Sequence, residues 1–392
     1  MRQSFLARIA PLAPVLILAA ALVAALVAPP AAEAARIETN AREAILIDYD
    51  TGQVLFEKDA EKPMPPASMT KIMTVFLAFE RLADGRLRME DEIPISEKAW
   101  RKGGSKMFVE VGTRVSVEDI LHGIIVQSGN DAAIALAEAI SGTEEAFAEL
   151  MTEKAAEIGM KDATFRNATG WPDPEHRMTA EGLSVLAREM IRRFPEYYRI
   201  YAETTFTYNG IKQGNRNPLL YKGMGADGLK TGHTENAGYG LTASAQRGDR
   251  RLILVVNGLG SVRERSSESE RLLEWGFREF DNYTLLERGE MVEEATVWLG
   301  AEETVPLVTE EELVLTMPRA ARKEMRVTVE YEGPIPAPIV KGQVLARLRV
   351  AAPGMEDRVL ALRAGEDVAK LGPVGRITSA IGHLIWGPSS GE

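Results

Sequence analysis

The feature that most limits what this chain can become is the run Ile72-Met73-Thr74-Val75-Phe76-Leu77-Ala78-Phe79. It is apolar all round, so a chain containing it folds about a buried helix. Directly ahead of it stands Pro66-Ala67-Ser68-Met69-Thr70-Lys71. A helix opening near Ser68 puts Ser68 and Lys71 on one face, because residues three apart are surface neighbours. A hydroxyl and an amine are thereby carried to the end of a buried helix. Burial there favours the neutral amine, which can take the proton of a nucleophilic hydroxyl. By itself the pattern equally describes a helix N-cap followed by a surface lysine.

The 392 residues leave room for two domains, and 45% hydrophobic with 26% charged residues is ordinary for soluble globular protein. A net charge of −11 excludes a dominant basic surface, so no nucleic-acid partner is expected. With no cysteine, disulfides, thiol catalysis and Cys–zinc sites are excluded. Arg2 and Arg8 precede an apolar stretch from about Ile9 to Val27, and Ala32-Glu33-Ala34 supplies an A-x-A cleavage signal. An uncleaved membrane anchor is the competing reading, since the stretch approaches spanning length. Pro11, Pro14 and the small-residue exit favour a signal peptide over residues 1–34. The expected location is the periplasm, attached to the outer face of the inner membrane.

Along the rest of the chain, Ala44 to Tyr49 and Gln53 to Phe56 read as a β-hairpin about Asp50-Thr51-Gly52. The Ser68 helix ends near Asp84-Gly85, and Lys102 to Ser105 reads as loop. Ser116 caps a helix with an acidic first turn. The helical pattern then runs to Gly159, broken only at Ser128-Gly129-Asn130. A loop around Asn167 to Pro172 leads to a helix at Thr179 to Arg193. Strands return at Asp227 to Thr231, Tyr239 to Ala245 and Arg251 to Val256, and Glu264 to Phe280 closes the region as a helix. The fold class is α/β: a mainly antiparallel sheet flanked by helices, with a helical insertion, over residues 36–284.

Short β runs at Ala295–Trp298, Glu312–Leu315, Met325–Tyr331 and Gln343–Val350 predict a small all-β domain over 288–365. Residues 370–387 place Val374, Ile377, Ile381, Leu384 and Ile385 on one helical face, with Trp386 at its end. They are too short to span a bilayer but suit its interface, so this helix is a candidate membrane anchor; docking on the β domain is the alternative.

Two further motifs give the first its meaning. Ser128-Gly129-Asn130 offers a second hydroxyl to relay a proton and an amide to orient a peptide, though alone it reads as an interhelix turn. Lys230-Thr231-Gly232, in a β run, offers a charge for a carboxylate and a glycine that lets a ligand backbone approach. The order S-x-x-K, S-x-N, K-T-G is that of the β-lactamases and penicillin-binding proteins.

With these surroundings (Pro66 to Lys71, Gln127 to Ala132, Asp227 to Thr234), the chain resembles the D-alanyl-D-alanine carboxypeptidases among the low-molecular-mass penicillin-binding proteins. The resemblance implies the transpeptidase/β-lactamase-like fold and removal of the terminal D-alanine from peptidoglycan stem peptides, with β-lactams as covalent inhibitors. It implies Ser68 as nucleophile, Lys71 as base with Lys230 helping to keep it neutral, and Ser128 as proton relay. Asn130 is expected on the substrate, Lys230, Thr231 and Arg216 on its carboxylate, and the His233 backbone with that of Ser68 as oxyanion donors. No metal or cofactor is expected, since the four histidines lack metal-ligand spacing.

Gly223 to Gly228 matches G-x-G-x-x-G, but a strand rather than a helix follows, so a dinucleotide site is rejected. The charge run Arg263 to Arg271 reads as a solvated helix face. A serine β-lactamase is the enzymatic rival, with Asp173 and Glu175 the available carboxylates after Trp171. A cell-wall-binding protein with a vestigial site is the rival without catalysis.

Overall fold

The computed structural model describes residues 37–372. The expected signal peptide over 1–34 lies outside the described residues, as does the expected helix over 370–387 apart from its first three positions. Among the described residues no helix is long and apolar enough to cross a membrane. The described residues form two compact units, one of residues 37–290 together with 309–317, the other of 291–308 and 318–372.

In the first unit, β1 (Glu43–Asp48) and β2 (Val54–Lys58) form the expected hairpin, with Ala44 opposite Lys58. The apolar run becomes α1 (Lys71–Ala83), buried along nearly its whole length. A short α2 (Glu97–Arg101) follows, capped by Ser96, whose hydroxyl accepts from the Ala99 N–H at 3.0 Å. Ser116 caps α3 (Val117–Ile125) in the same way, accepting from the Asp119 N–H at 3.1 Å.

The helical stretch then breaks twice rather than once. α4 (Asn130–Ser141) and α5 (Glu144–Glu157) are separated by Gly142, whose φ of 80° a glycine accepts without strain, and Thr143 caps α5. α6 (Ala180–Arg193) is followed by a hairpin of residues Thr205–Tyr208 and Ile211–Gly214. Its turn holds Asn209 and Gly210 at φ 47° and 76°, the Asn-Gly signature of a two-residue hairpin.

Three long strands complete the sheet: β3 (Ala226–Thr234), β4 (Gly238–Arg247) and β5 (Arg250–Leu259). The order is β2-β1-β5-β4-β3 with every neighbour antiparallel, so β1 closes against β5, with Glu43 opposite Asn257. The run Leu252–Val256 is buried on both faces because α6 packs on one side and α7 (Val262–Glu279) also lies against it. β3 is the sheet edge, and it packs against the turn that carries Ser68.

Asp48, fully buried at the end of β1, ties distant segments together. It pairs with buried Arg250 at 3.1 Å and accepts from Asn282 Nδ2 at 3.1 Å and from the Asp50 and Thr51 N–H groups. Arg250 in turn donates to the Phe280 carbonyl at 2.6 Å.

After α7 comes β6 (Phe280–Leu286). The second unit contributes β7 (Met291–Trp298) and β8 (Thr304–Val308), and the chain then returns through β9 (Leu313–Pro318) to pair with β6. The run Glu312–Leu315, expected in the small domain, therefore belongs with the first unit, where the Thr316 hydroxyl donates to Asn282 Oδ1 at 2.8 Å. The rest of the second unit is β10 (Arg326–Glu330), β11 (Ile335–Pro336), β12 (Val344–Ala351) and β13 (Arg358–Ala364). Its sheet runs β10-β12-β13-β8-β7-β11. The buried residues Ala346, Leu348 and Val350 alternate with exposed ones, as one covered sheet face requires.

Candidate active site

Ser68 lies in a tight 3-10 turn, Ala67–Thr70, and Lys71 opens α1. The Lys71 Nζ sits 3.1 Å from Ser68 Oγ, 2.7 Å from Asn130 Oδ1 and 2.6 Å from the Thr169 carbonyl. An ammonium donates to all three. A neutral amine keeps two N–H groups for Asn130 and Thr169, the two acceptors that carry no proton, and its lone pair is left facing Ser68. The neutral form is accessible because Lys71 is fully buried, which pushes its pKa down to about 7. Arg216 and Lys102 add to that lowering, and Asp131 and Glu144 oppose it.

A loop and two buried carboxylates hold this geometry. Asn167 Oδ1 accepts from the N–H groups of Thr169, Gly170 and Trp171 at 3.1, 2.8 and 2.9 Å, which turns the Thr169 carbonyl inward. Glu144 fixes the same loop through the Ala168 N–H at 3.2 Å. Gly170, at φ 78°, lies so near the Ser68 turn that a Cβ would fall 1.7 Å from the Ala67 oxygen. Asp131, buried in the first turn of α4, accepts from the Met107 and Phe108 N–H groups at 2.8 and 2.9 Å. That holds the strand of loop bearing Ser105. Beneath the turn, the Arg166 N–H donates to His176 Nδ1 at 3.2 Å, so the imidazole proton resides on Nε2 and is given to Thr70 Oγ1 at 2.9 Å. Burial pushes the His176 pKa down to about 4, which keeps the ring neutral.

Ser128 sits at φ 62° in the turn between α3 and α4, with its Oγ buried and without a hydrogen-bond partner among the described residues. Lys230 and Thr231 are buried on edge strand β3, and among the described residues the Lys230 Nζ has only a long 3.4 Å contact to the Thr231 carbonyl. Gly232 lets β3 reach the Ser68 turn, since a Cβ there would meet the Pro66 oxygen at 2.7 Å. Burial, then the charges of Lys71, Arg216 and Arg265, hold the Lys230 pKa well below the usual lysine range. Arg216 Nη1 donates to Ser105 Oγ at 2.6 Å. His233 is exposed, its ring 3.9 Å from that of Tyr239. Ser68, Ser105, Asn130 and His233 line one cavity of about 600 Å³. Lys71, Ser128, Lys230 and Thr231 are buried and are not among its lining residues. Lys230 has no carboxylate partner among the described residues, and a substrate carboxylate brought to it would favour its charged form.

Asn130, expected on the substrate, lines the cavity and also steadies the base: its oxygen takes Lys71 and one N–H goes to the Gly103 carbonyl at 2.9 Å, which leaves its second N–H for a ligand. Lys71 and Lys230 disfavour each other's charge, and Arg216 lowers both. One expectation changes. Arg265 is not on a solvated face: with Ser269, Leu272, Leu273 and Gly276 it forms the buried stripe of α7, and its Nη2 donates to the Arg216 carbonyl at 3.4 Å. The carboxylates after Trp171 face elsewhere. Glu175 pairs with Arg166 at 3.1 Å in solvent, and Asp173 accepts the Glu175 N–H at 2.8 Å.

Sequence reasoning missed Thr169, Asp131 and Gly170. The stretch Asn167-Ala168-Thr169-Gly170-Trp171-Pro172 signalled a turn, but a backbone carbonyl has no side-chain signature.

The sequence model described as D-alanyl-D-alanine carboxypeptidase matches residues 29–260. The chain belongs to the D-alanyl-D-alanine carboxypeptidase family. A second family model, penicillin-binding protein 5, C-terminal domain, matches residues 280–370. The D-alanyl-D-alanine carboxypeptidase DacA of Haemophilus influenzae is 37% identical over 346 residues, covering 87% of this chain and 88% of that one. The crystal structure of the carboxypeptidase DacD of Francisella tularensis superposes with a TM-score of 0.79 at 31% identity, over 88% of this chain and 97% of that one. Penicillin-binding protein D2 of Listeria monocytogenes, solved in the ampicillin-bound form, matches with a TM-score of 0.57 at 30% identity, over 62% of this chain and 99% of that one. The antiparallel sheet with its helices and the C-terminal β domain are thus the family's architecture.

Proposed function

We propose that this member of the family is a serine D-Ala-D-Ala carboxypeptidase, removing the terminal D-alanine from peptidoglycan pentapeptides through an acyl-enzyme on Ser68. The observation that carries the reading is the buried Lys71, its Nζ 3.1 Å from Ser68 Oγ and its pKa brought down to about 7. Ser68 Oγ attacks the carbonyl carbon of the penultimate D-alanine while Lys71 takes the hydroxyl proton. The Ser68 and His233 backbone N–H groups receive the developing oxyanion. The amide C–N bond breaks as the Ser128 hydroxyl passes its proton to the departing amine and receives the Lys71 proton in exchange, which returns Lys71 to the neutral form. Lys230, Thr231 and Arg216 hold the terminal carboxylate. Water then attacks the ester while Lys71 takes its proton and passes it to Ser68 Oγ as the ester C–O bond breaks, and the shortened peptide leaves.

A β-lactam acylates the same oxygen when its strained amide opens; the ampicillin-bound Listeria relative supports this reading. The absence of a carboxylate hydrogen-bonded to Ser68 or Lys71 among the described residues favours the carboxypeptidase over the β-lactamase. The amino-terminal pattern and the apolar face over 370–387 support export to the periplasm and attachment to the inner membrane surface. Incubating Ser68→Ala and wild type with labelled penicillin and with a pentapeptide ending in D-Ala-D-Ala tests the assignment. Wild type should be labelled and release D-alanine, the variant neither. A labelled Ser68→Ala protein would sink the nucleophile, and no D-alanine release from wild type would leave a vestigial wall-binding protein.

A further inference from the structure

A second cavity of about 560 Å³ adjoins the active-site cavity, and the two share Gly170, Trp171, Pro172, Thr234 and Asn236 as walls. Substrate polarity follows from β3. With the terminal carboxylate at Lys230 and Thr231 and the scissile carbonyl near Ser68 and His233, the peptide's earlier residues continue past Thr234 and Asn236. Four residues of strand from Lys230 to Thr234 cover about 13 Å, so the next part of an extended peptide arrives where the second cavity opens.

The charges facing that cavity are unevenly satisfied. Arg42 donates to the Asn236 and Ala237 carbonyls at 3.0 and 2.6 Å, and buried Glu43 accepts from Asn257 at 3.1 Å. Asp173 is occupied by the Glu175 N–H, and His176 is neutral. Lys62 and Arg177 also line the cavity, and neither side chain has a hydrogen-bond or ion-pair partner among the described residues. Three cations against two carboxylates leave the pocket positive, with two cations uncommitted.

We propose that this cavity is a recognition site for a carboxylate carried by the part of the peptide upstream of the D-Ala-D-Ala end, bound by Lys62 and Arg177. The proposal rests on the carboxypeptidase reading and deepens it. Through this site the protein prefers acidic stem peptides to short neutral ones, and the preference falls with salt because both cations are partly solvated.

The test compares a pentapeptide bearing upstream carboxylates with the same peptide amidated at those positions and with a neutral tripeptide ending in D-Ala-D-Ala. Two exposed ion pairs together give about a tenfold preference. The variant Lys62→Gln/Arg177→Gln should lose that factor for the acidic peptide through KM, while kcat, turnover of the neutral tripeptide and penicillin acylation stay within about twofold of wild type. Amidation should lower wild-type affinity by the same factor and leave the variant unchanged. An equal loss on acidic and neutral peptides, or no loss on either, overturns the proposal. If wild type releases D-alanine from neither peptide, the carboxypeptidase reading fails. Binding of the acidic pentapeptide to Ser68→Ala protein then reads the cavity alone: salt-sensitive binding lost with Lys62→Gln/Arg177→Gln upholds it, and salt-insensitive or absent binding overturns it.

Discussion

Asp48 and Lys71 are both fully buried ionisable residues of the same unit, but Asp48 is met by Arg250 and four further donors, whereas among the described residues no carboxylate touches Lys71. The first arrangement stitches β1, β5 and β6 together and has nothing left to offer a ligand. The second leaves an amine that is easily deprotonated beside a hydroxyl. Lys230 repeats the second pattern, and the difference shows how one interior holds charge for cohesion in one place and for reactivity in another.

Removing the reactive member should have the largest effect. Lys71→Ala is expected to lower D-alanine release and penicillin acylation by about 10³-fold, with circular dichroism unchanged. Removing the cohesive member should do the reverse. Arg250→Ala leaves Asp48 buried and unpaired, at a cost of about 3 kcal/mol in denaturant unfolding, while acylation below the melting temperature proceeds at the wild-type rate. Gly170→Ala stands between them. The loop must withdraw from Ala67, which costs about 2 kcal/mol of stability and also slows acylation, because Thr169 moves off Lys71.

The same contrast fixes the pH dependence of stability. Lys71 is held at about 7 in the folded protein against 10.5 for an unperturbed lysine. Between those values the unfolded chain binds more protons than the folded one, so stability rises with pH across that window. Lys71→Met should flatten the rise in a series of denaturant curves; an unchanged slope would mean that Lys71 contributes no such linkage. The smallest pH effect is expected from Arg216→Gln. Losing the guanidinium charge raises the Lys71 pKa, so the acid limb of the pH–kcat/KM profile should move up by a fraction of a pH unit, while the lost carboxylate contact raises KM at every pH.

Much of the site was legible because its signals were periodic. The three-residue spacing of Ser68 and Lys71, ahead of a helix that has to be buried, fixed their proximity. Lys230 was legible as a member of a β run, and Ser116 as a helix cap. What escaped depends on contacts between distant segments. Thr169 meets Lys71 from 98 residues away through a carbonyl. The return of residues 309–317 to β6 follows from a pairing that its own β pattern does not specify. Arg265 was hidden in a charged run, yet its spacing to Ser269, Leu272 and Gly276 carried the helical stripe that buries it.

The ionisation of Lys71 in the resting protein is the point on which the account turns. Carbon-13 NMR of lysine-labelled protein, with Lys71 assigned by its loss in Lys71→Met, follows that amine directly as pH is raised. The account predicts a midpoint near the value of about 7 that burial imposes. A Lys71 signal that titrates with the surface lysines, near 10.5, would contradict it.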